Sequence, residues 1–160
     1  MQSERDIYTK YMEQLRLKLI AKYEALGLKA SGSYADELQY EISNNKMVMS
    51  GAYHSWFMQN GRGTGFVPVQ VIKDWIDTKE GLPSEFREKK ETIAYAIANK
   101  IAKEGIKVPN QHNPGKVISE VVDEFLAKDI YDMIKELGTV YLGRIESDVL
   151  KIFKDLTLAA

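Results

Sequence analysis

An α+β fold is predicted for this chain by three patterns. Apolar residues recur at spacings of three and four through Glu4–Ala25, apolar and polar side chains alternate over 38–42, and a second helical period runs almost unbroken over 116–156. Together they predict an N-terminal helix, a small antiparallel sheet or hairpin, and several packed helices with a long C-terminal helical segment.

In the first helix Tyr8, Tyr11, Leu15, Leu19 and Tyr23 form one apolar stripe, with Arg5, Lys10, Arg16 and Lys22 on the wetter side. Gly27 is the expected stop, because glycine takes the left-handed cap conformation cheaply. Residues 30–33 read as loop, with a short helical turn at 34–37. Leu38, Tyr40 and Ile42 then alternate as in a half-buried strand, Asn44-Asn45 supplies residues that tolerate a tight turn, and 47–50 is the return strand. The aromatic stretch 52–59 fits either a short helix or a buried strand.

The run Gly61-Arg62-Gly63-Thr64-Gly65 is a loop by composition. Pro68 suits the first turn of a helix over 69–78, whose Ile72, Trp75 and Ile76 are expected on one buried face. Residues 81–84 break the chain, and Ser84 is a candidate N-cap; Arg87 stands where a capping box needs Glu or Gln. A helix over 85–104 should turn Phe86, Ile93, Ala94, Ile97 and Ile101 inward and end at Gly105. Residues 108–115 form the longest clear loop. In 116–156 the inward positions are Ile118, Val122, Phe125, Ile130, Ile134, Leu137, Tyr141, Ile145, Val149, Ile152 and Phe153. About forty helical residues far exceed the mean of about 11–12. Either a kink near 127–129 makes two helices, or one long helix projects to meet neighbours.

A length of 160 residues fits one domain, or one with an extension, and is enough for a sizeable core. Hydrophobic residues at 44% and charged residues at 28% are ordinary for a globular protein, which argues against disorder. A net charge of −1 lacks the basic excess of a free-standing nucleic-acid binder. The absence of cysteine removes disulfides, thiolate nucleophiles and cysteine-ligated zinc. The longest uncharged stretch, 47–61, falls short of the roughly 18 apolar residues of a membrane span, so no membrane association is expected. Residues 1–6 lack the apolar run of a secretory signal. Charge is uneven: 85–107 is basic, and 117–156 holds nine acidic residues against five basic ones. Such opposite patches suit head-to-tail contact between copies, or are two solvated helix faces.

The loop at 61–65 lacks the third glycine of a dinucleotide fingerprint and the Gly-Lys-Ser/Thr of a P-loop, so it reads as a tight structural loop. Arg62, between two glycines, is expected to be exposed. It would pair with a neighbouring subunit's carboxylate or with phosphate, or remain a solvated charge. His54 beside Ser55 is not a nucleophile–base pair unless geometry makes it one, and His112 has no second ligand at metal spacing. Tyr53, Trp56 and Phe57 fit core packing better than base stacking, since no basic residue adjoins them. No catalytic residue, metal ligand or cofactor is assigned, and the chain is not expected to be an enzyme.

One stretch resembles a known family. Tyr53 is followed by Phe57-Met58-Gln59-Asn60-Gly61-Arg62, then Gly63, Gly65 and Pro68, then Ile72, Trp75-Ile76, Lys79 and Gly81. Ala94, Ala96-Ile97, Lys100-Ile101 and Glu104-Gly105 complete the run. In order and spacing it is similar to tail-completion or minor-tail proteins of tailed phages, which act at the head-to-tail joint. Gln59 stands where that family usually has an acid, Asn60 where it has an aromatic, and Val69 where a second proline is common. The resemblance implies a tail-completion-like α+β domain over 1–107 and a C-terminal helical extension over 108–160 that packs on the same core or on neighbours. It implies a structural virion protein made in the host bacterial cytoplasm. Six or twelve copies would form a ring at the neck or tail end, with portal, connector or tail-tube proteins as partners and packaged DNA only incidental in the channel. The expected interface residues are Arg62, Gly63, Gly65 and Phe66. The other reading is a small cytoplasmic nucleic-acid-associated or regulatory protein that uses its basic helix.

Overall fold

The structure, a computed structural model, describes residues 3–44 and 46–158, with the side chains of 153 and 155–158 excluded. It is mixed, as the sequence predicts: one antiparallel hairpin amid helices, with a long helical run at the C-terminal end.

Helix α1 spans Glu4–Ala25. It starts on a capping box. The Asp6 N–H donates to Ser3 Oγ at 3.2 Å, and the Ser3 N–H donates to Asp6 Oδ2 at 2.9 Å. It stops at Gly27 (φ 65°), where the Gly27 N–H bonds the Glu24 carbonyl and the Leu28 N–H bonds that of Tyr23. That pair of bonds is a Schellman cap, and it needs the left-handed residue glycine supplies. The buried stripe is Ile7, Tyr11, Leu15, Leu19 and Tyr23, so Ile7 takes the place expected for Tyr8, which is half-buried.

A short helix α2 (Ser33–Glu37) leads into strands β1 (Gln39–Ser43) and β2 (Lys46–Ser50), paired antiparallel with Tyr40 opposite Met49 and Ile42 opposite Met47. Of the expected turn residues, Asn45 lies outside the described residues. The stretch that fitted helix or strand is helix α3 (His54–Asn60).

Helix α4 (Val69–Thr78) packs on α6 (Lys90–Glu104), and Ile72, Ile76, Ala94 and Ala98 form their buried centre. Trp75 corrects the sequence reading: it is 36% exposed, whereas Ile76 is fully buried. At about 100° per residue, Trp75 stands about 100° round the helix from Ile76, at the rim of the buried face rather than within it. Pro68 precedes this helix as its N-cap, with extended backbone, rather than occupying the first turn. The helix expected over 85–104 is divided. Helix α5 (Ser84–Glu88) follows Pro83, and Lys89, at φ −111° and ψ 31°, separates it from α6. Ser84 therefore sits inside the first turn and caps nothing.

The C-terminal run is continuous but changes pitch. Helix α7 (Ser119–Glu124) passes through one π-helical turn (Phe125–Asp129) into α8 (Ile130–Leu158). The π turn falls near where a kink was expected, and the run stays one continuous helix rather than two. The turn's extra residue rotates the downstream face. The buried positions are Val121 and Phe125, then Met133 and Val140 beyond the π turn, while Ile134 and Tyr141, expected inward, are exposed. These four join Ile7, Tyr11, Leu15, Leu19, Tyr23 and Tyr34 in the larger core. The first and last helices thus share one core, and α4 and α6 share the other.

Candidate functional site

The loop after α3 begins at Gly61 (φ 78°), whose carbonyl end passes beside the end of α6. The Arg62 N–H donates to the Ile106 carbonyl at 2.8 Å, and the Ile106 N–H donates to the Arg62 carbonyl at 2.7 Å. Gly65 adds a bond from its N–H to the Ala102 carbonyl at 2.9 Å. The loop is therefore fastened to α6 along its length.

Arg62 is only partly exposed, which corrects the expectation of a solvated side chain on a thin loop. Its Nη2 donates to the Phe66 carbonyl at 2.7 Å, and its Nη1 is buried without a partner. The guanidinium folds back to close its own loop, because the carbonyl of Phe66 lies within its reach. Gly63 and Gly65 are exposed, and Phe66 is 82% exposed with its ring in solvent. Tyr53 (81% exposed) and Trp56 (64% exposed) also face outward, against the expected core packing; Phe57 is half-buried and meets Tyr53 edge-on at 5.2 Å.

Gln59 has a role the sequence did not disclose. Its Oε1 accepts the N–H groups of Ile118 (2.8 Å) and Ser119 (3.2 Å), and its Nε2 donates to Ser119 Oγ at 2.8 Å. A side chain from α3 thus caps the start of the C-terminal helical run, whose first N–H groups have no helical acceptor. Asn113 Nδ2 donates to the Met58 carbonyl at 2.9 Å and holds the 108–115 loop to the same helix. Nothing local predicts a cap sixty residues away.

Four of the nine acidic residues of the C-terminal run pair with lysines of α1. Lys22 pairs with Glu120 (2.8 Å), Lys18 with Asp129 (2.5 Å) and Glu124 (3.6 Å), and Lys10 with Glu136 (2.5 Å). Arg144 pairs with Glu4, whose carboxylate also accepts from the Tyr141 hydroxyl. These contacts order α1 antiparallel to the run. The Lys10 ammonium and the Tyr11 hydroxyl, both bonded to Glu136, hold its carboxyl below the usual range, and Lys22 does the same for Glu120. Burial, then the bond to Glu136, pushes the Tyr11 hydroxyl up to about 12. Asp129 raises the Lys18 ammonium.

Downstream of the Arg144–Glu4 pair, the described positions of α8 from 144 to 152 are exposed. Leu142, Ile145, Val149 and Ile152 are exposed by 69%, 60%, 43% and 59%. Their spacing of three, four and three places them on one face, and Tyr131 and Ile134, also exposed, extend that face upstream. The side chain of Phe153 lies outside the described ones.

His54 is exposed while Ser55, the next residue, is buried, and its Oγ has no hydrogen-bond partner. Successive helical positions diverge by about 100°, so the two are not brought together. Ser55 and Tyr34, whose hydroxyl is also unpartnered, line an apolar cavity of about 230 Å³ with Leu15, Leu19, Leu38 and Met49. His112 is exposed beside Gln111 in the 108–115 loop. Among the described residues no three His, Asp or Glu side chains cluster at metal-binding distance, and no helix is long and apolar enough to cross a membrane. No family model matches the chain, and no match is found among curated proteins or solved structures.

Proposed function

We propose that this chain is a structural virion subunit that assembles into a ring at the head-to-tail joint or tail end of a tailed phage. There it would join the tail to the portal or connector and seal the DNA channel. The observation that carries the reading is the distal part of α8, whose described positions 144–152 are all exposed and present an apolar face to solvent. A contiguous apolar face on a projecting helix marks a surface that another protein covers. The run of residues that resembles tail-completion proteins adds a second support. Its Gly61-Arg62 and Glu104-Gly105 ends meet in the Arg62–Ile106 bridge, so the quoted positions belong to one substructure.

Negative-stain microscopy of the purified protein, alone and mixed with a portal, tests the proposal. Rings that seat on the portal are the expected result. A discrete monomer or dimer whose DNA binding weakens steeply with salt would overturn it in favour of a nucleic-acid-associated protein.

A further inference from the structure

We infer that the outer stripe of α8 docks into an apolar groove at the end of α6 on a second copy of this chain, in a head-to-tail contact. The inference rests on the ring reading and names the surfaces that would close the ring.

The groove is lined by Ile97, Ile101 and Ile106, with Lys100, Lys107 and Glu104 on its rim. Ile106 is 38% exposed, and Ile97 and Ile101 are half-buried, so an apolar floor meets solvent. Lys100, Lys103 and Lys107 are exposed and take part in none of the ion pairs among the described residues. Lys100, Lys103 and Lys107 outnumber Glu104, so the end of α6 carries a net positive charge.

The α8 stripe has the opposite character. At about 100° per residue, Glu146 and Asp148 fall on its two edges, and Lys151 falls on the far side of the helix. Glu146 and Asp148 are exposed and unpaired among the described residues, unlike the carboxylates that α1 neutralises upstream. An apolar ridge with acidic edges thus complements an apolar groove whose rim carries Lys100 and Lys107 against the single carboxylate of Glu104. The same edges disfavour stripe-on-stripe pairing, because like charges would face each other.

The two surfaces cannot meet within one subunit. The groove lies beside the start of α7, since Ile106 and Ala102 bond the loop that follows Gln59, and Gln59 caps Ser119. From Ser119 to Val149 the helical run covers about 45 Å at a rise of about 1.5 Å per residue. Complementary surfaces at opposite ends of one subunit make a heterologous contact, which closes into a ring when the rotation fits.

Two variants separate the surfaces. Ile145→Asp spoils the stripe, and Lys100→Glu with Lys107→Glu spoils the groove; all three positions are exposed or on the rim, and thermal melting checks that each monomer folds. Sedimentation velocity should show that the wild-type chain associates with rising concentration. Each variant alone should associate about tenfold more weakly or worse, as expected when a charge is placed against an apolar or like-charged surface. Mixed together, they should form a one-to-one dimer that grows no further, because one intact stripe and one intact groove remain. A wild-type chain that stays monomeric at millimolar concentration, association unchanged in either variant, or a mixture that forms no dimer would each overturn the inference. Rings on a portal without this contact would refute the docking and leave the proposed function standing. A capped dimer from a protein that ignores the portal would do the reverse.

Discussion

Gly61 and Gly105 flank the Arg62–Ile106 bridge in a reciprocal arrangement. A Cβ on Gly61 would overlap the Ile106 carbonyl oxygen, and a Cβ on Gly105 would overlap the Arg62 carbonyl oxygen. Both residues have positive φ, at 78° and 72°. Each glycine therefore admits the strand that follows the other, and the crossing closes only when both lack a side chain. Gly61→Ala and Gly105→Ala should each destabilise by more than the roughly 1–2 kcal/mol that a left-handed backbone alone costs an L residue. Gly63→Ala should cost far less, since its Cβ would meet nothing within 4 Å. Urea unfolding of the three variants tests the contrast, and equal midpoints would remove the crossing as a determinant of the fold.

Capping by Gln59 yields a prediction that separates hydrogen bonding from charge. Gln59→Ala leaves the Ile118 and Ser119 N–H groups without their acceptor and should cost about 1–2 kcal/mol, the usual loss for a helix cap. Gln59→Glu keeps an acceptor for both groups, and a carboxylate at a helix N-terminus is favourable. Ser119 Oγ, which accepts from Gln59 in the native chain, can turn to donate instead. Near-native stability is expected for Gln59→Glu at neutral pH, with a loss on acidification as the carboxylate protonates. Thermal melts of the two variants across pH decide it.

Much of the fold is legible in the sequence where the information is local. The bounds of α1, the hairpin, the 61–65 loop and the stop at Gly105 follow from periodicity and glycine placement. The errors arise where distant residues decide. Ile134 and Tyr141 carry a helical period, but Met133 and Val140, one residue earlier, take the buried positions, because the face that packs on α1 is set by tertiary contacts. The acidic C-terminal run reads as a patch available to partners, yet Lys10, Lys18 and Lys22 of α1 pair with four of its nine acidic residues. Complementary spacing along the two helices is visible only once their antiparallel packing is known. Of the expected interface residues, Phe66 is the one whose side chain stands free, and Arg62 turns inward because the reach of a side chain to a carbonyl four residues on is a matter of loop shape.

The ladder between α1 and the C-terminal run should set the pH limits of stability. Glu136 and Glu120 have carboxyls lowered by Lys10 and Lys22 respectively. A group whose folded pKa is lowered contributes stability that is complete above its ordinary value and lost as pH falls through the lowered one. Tyr11 works in the other direction. Its stabilisation is complete below about 10, the ordinary tyrosine value. It is lost as pH rises through about 12. Melting temperature plotted against pH should fall at both ends. Glu136→Gln should flatten the acid limb, and Tyr11→Phe should flatten the alkaline one. A Glu136→Gln profile that coincides with the wild type would show that the pair contributes nothing.

Helix α4 offers a comparison between neighbours. Ile76 is fully buried against α6, and Trp75 is 36% exposed. Ile76→Ala should cost about 2–5 kcal/mol, as for a buried aliphatic that leaves a cavity. Trp75→Ala should fall below the roughly 3–5 kcal/mol typical of a fully buried aromatic, because part of its ring is already hydrated. Chemical denaturation of both variants under one condition gives the ranking, and a larger loss at Trp75 would place it in the core after all.

Arg62 carries the last prediction, because its guanidinium is half satisfied. Nη2 has the Phe66 carbonyl at 2.7 Å, while Nη1 is buried with no acceptor. A charge-assisted bond contributes about 1.5–3 kcal/mol, and a buried unsatisfied donor costs about 1–3 kcal/mol, so the two nearly offset. Arg62→Met keeps the apolar stem, removes both effects and should leave stability within about 1 kcal/mol of the native chain. Arg62→Glu replaces a donor with an acceptor that faces the Phe66 carbonyl. It should lose roughly 1–3 kcal/mol, the penalty for desolvated polar groups left unpaired. A solvated arginine would instead tolerate both substitutions within about 0.5 kcal/mol. Thermal and urea unfolding of the pair distinguishes the two states directly. Equal melting of Arg62→Met and Arg62→Glu would mean that the guanidinium does not close the loop, and that Phe66 is held in place only by the Arg62–Ile106 bridge and the Gly65 bond to Ala102.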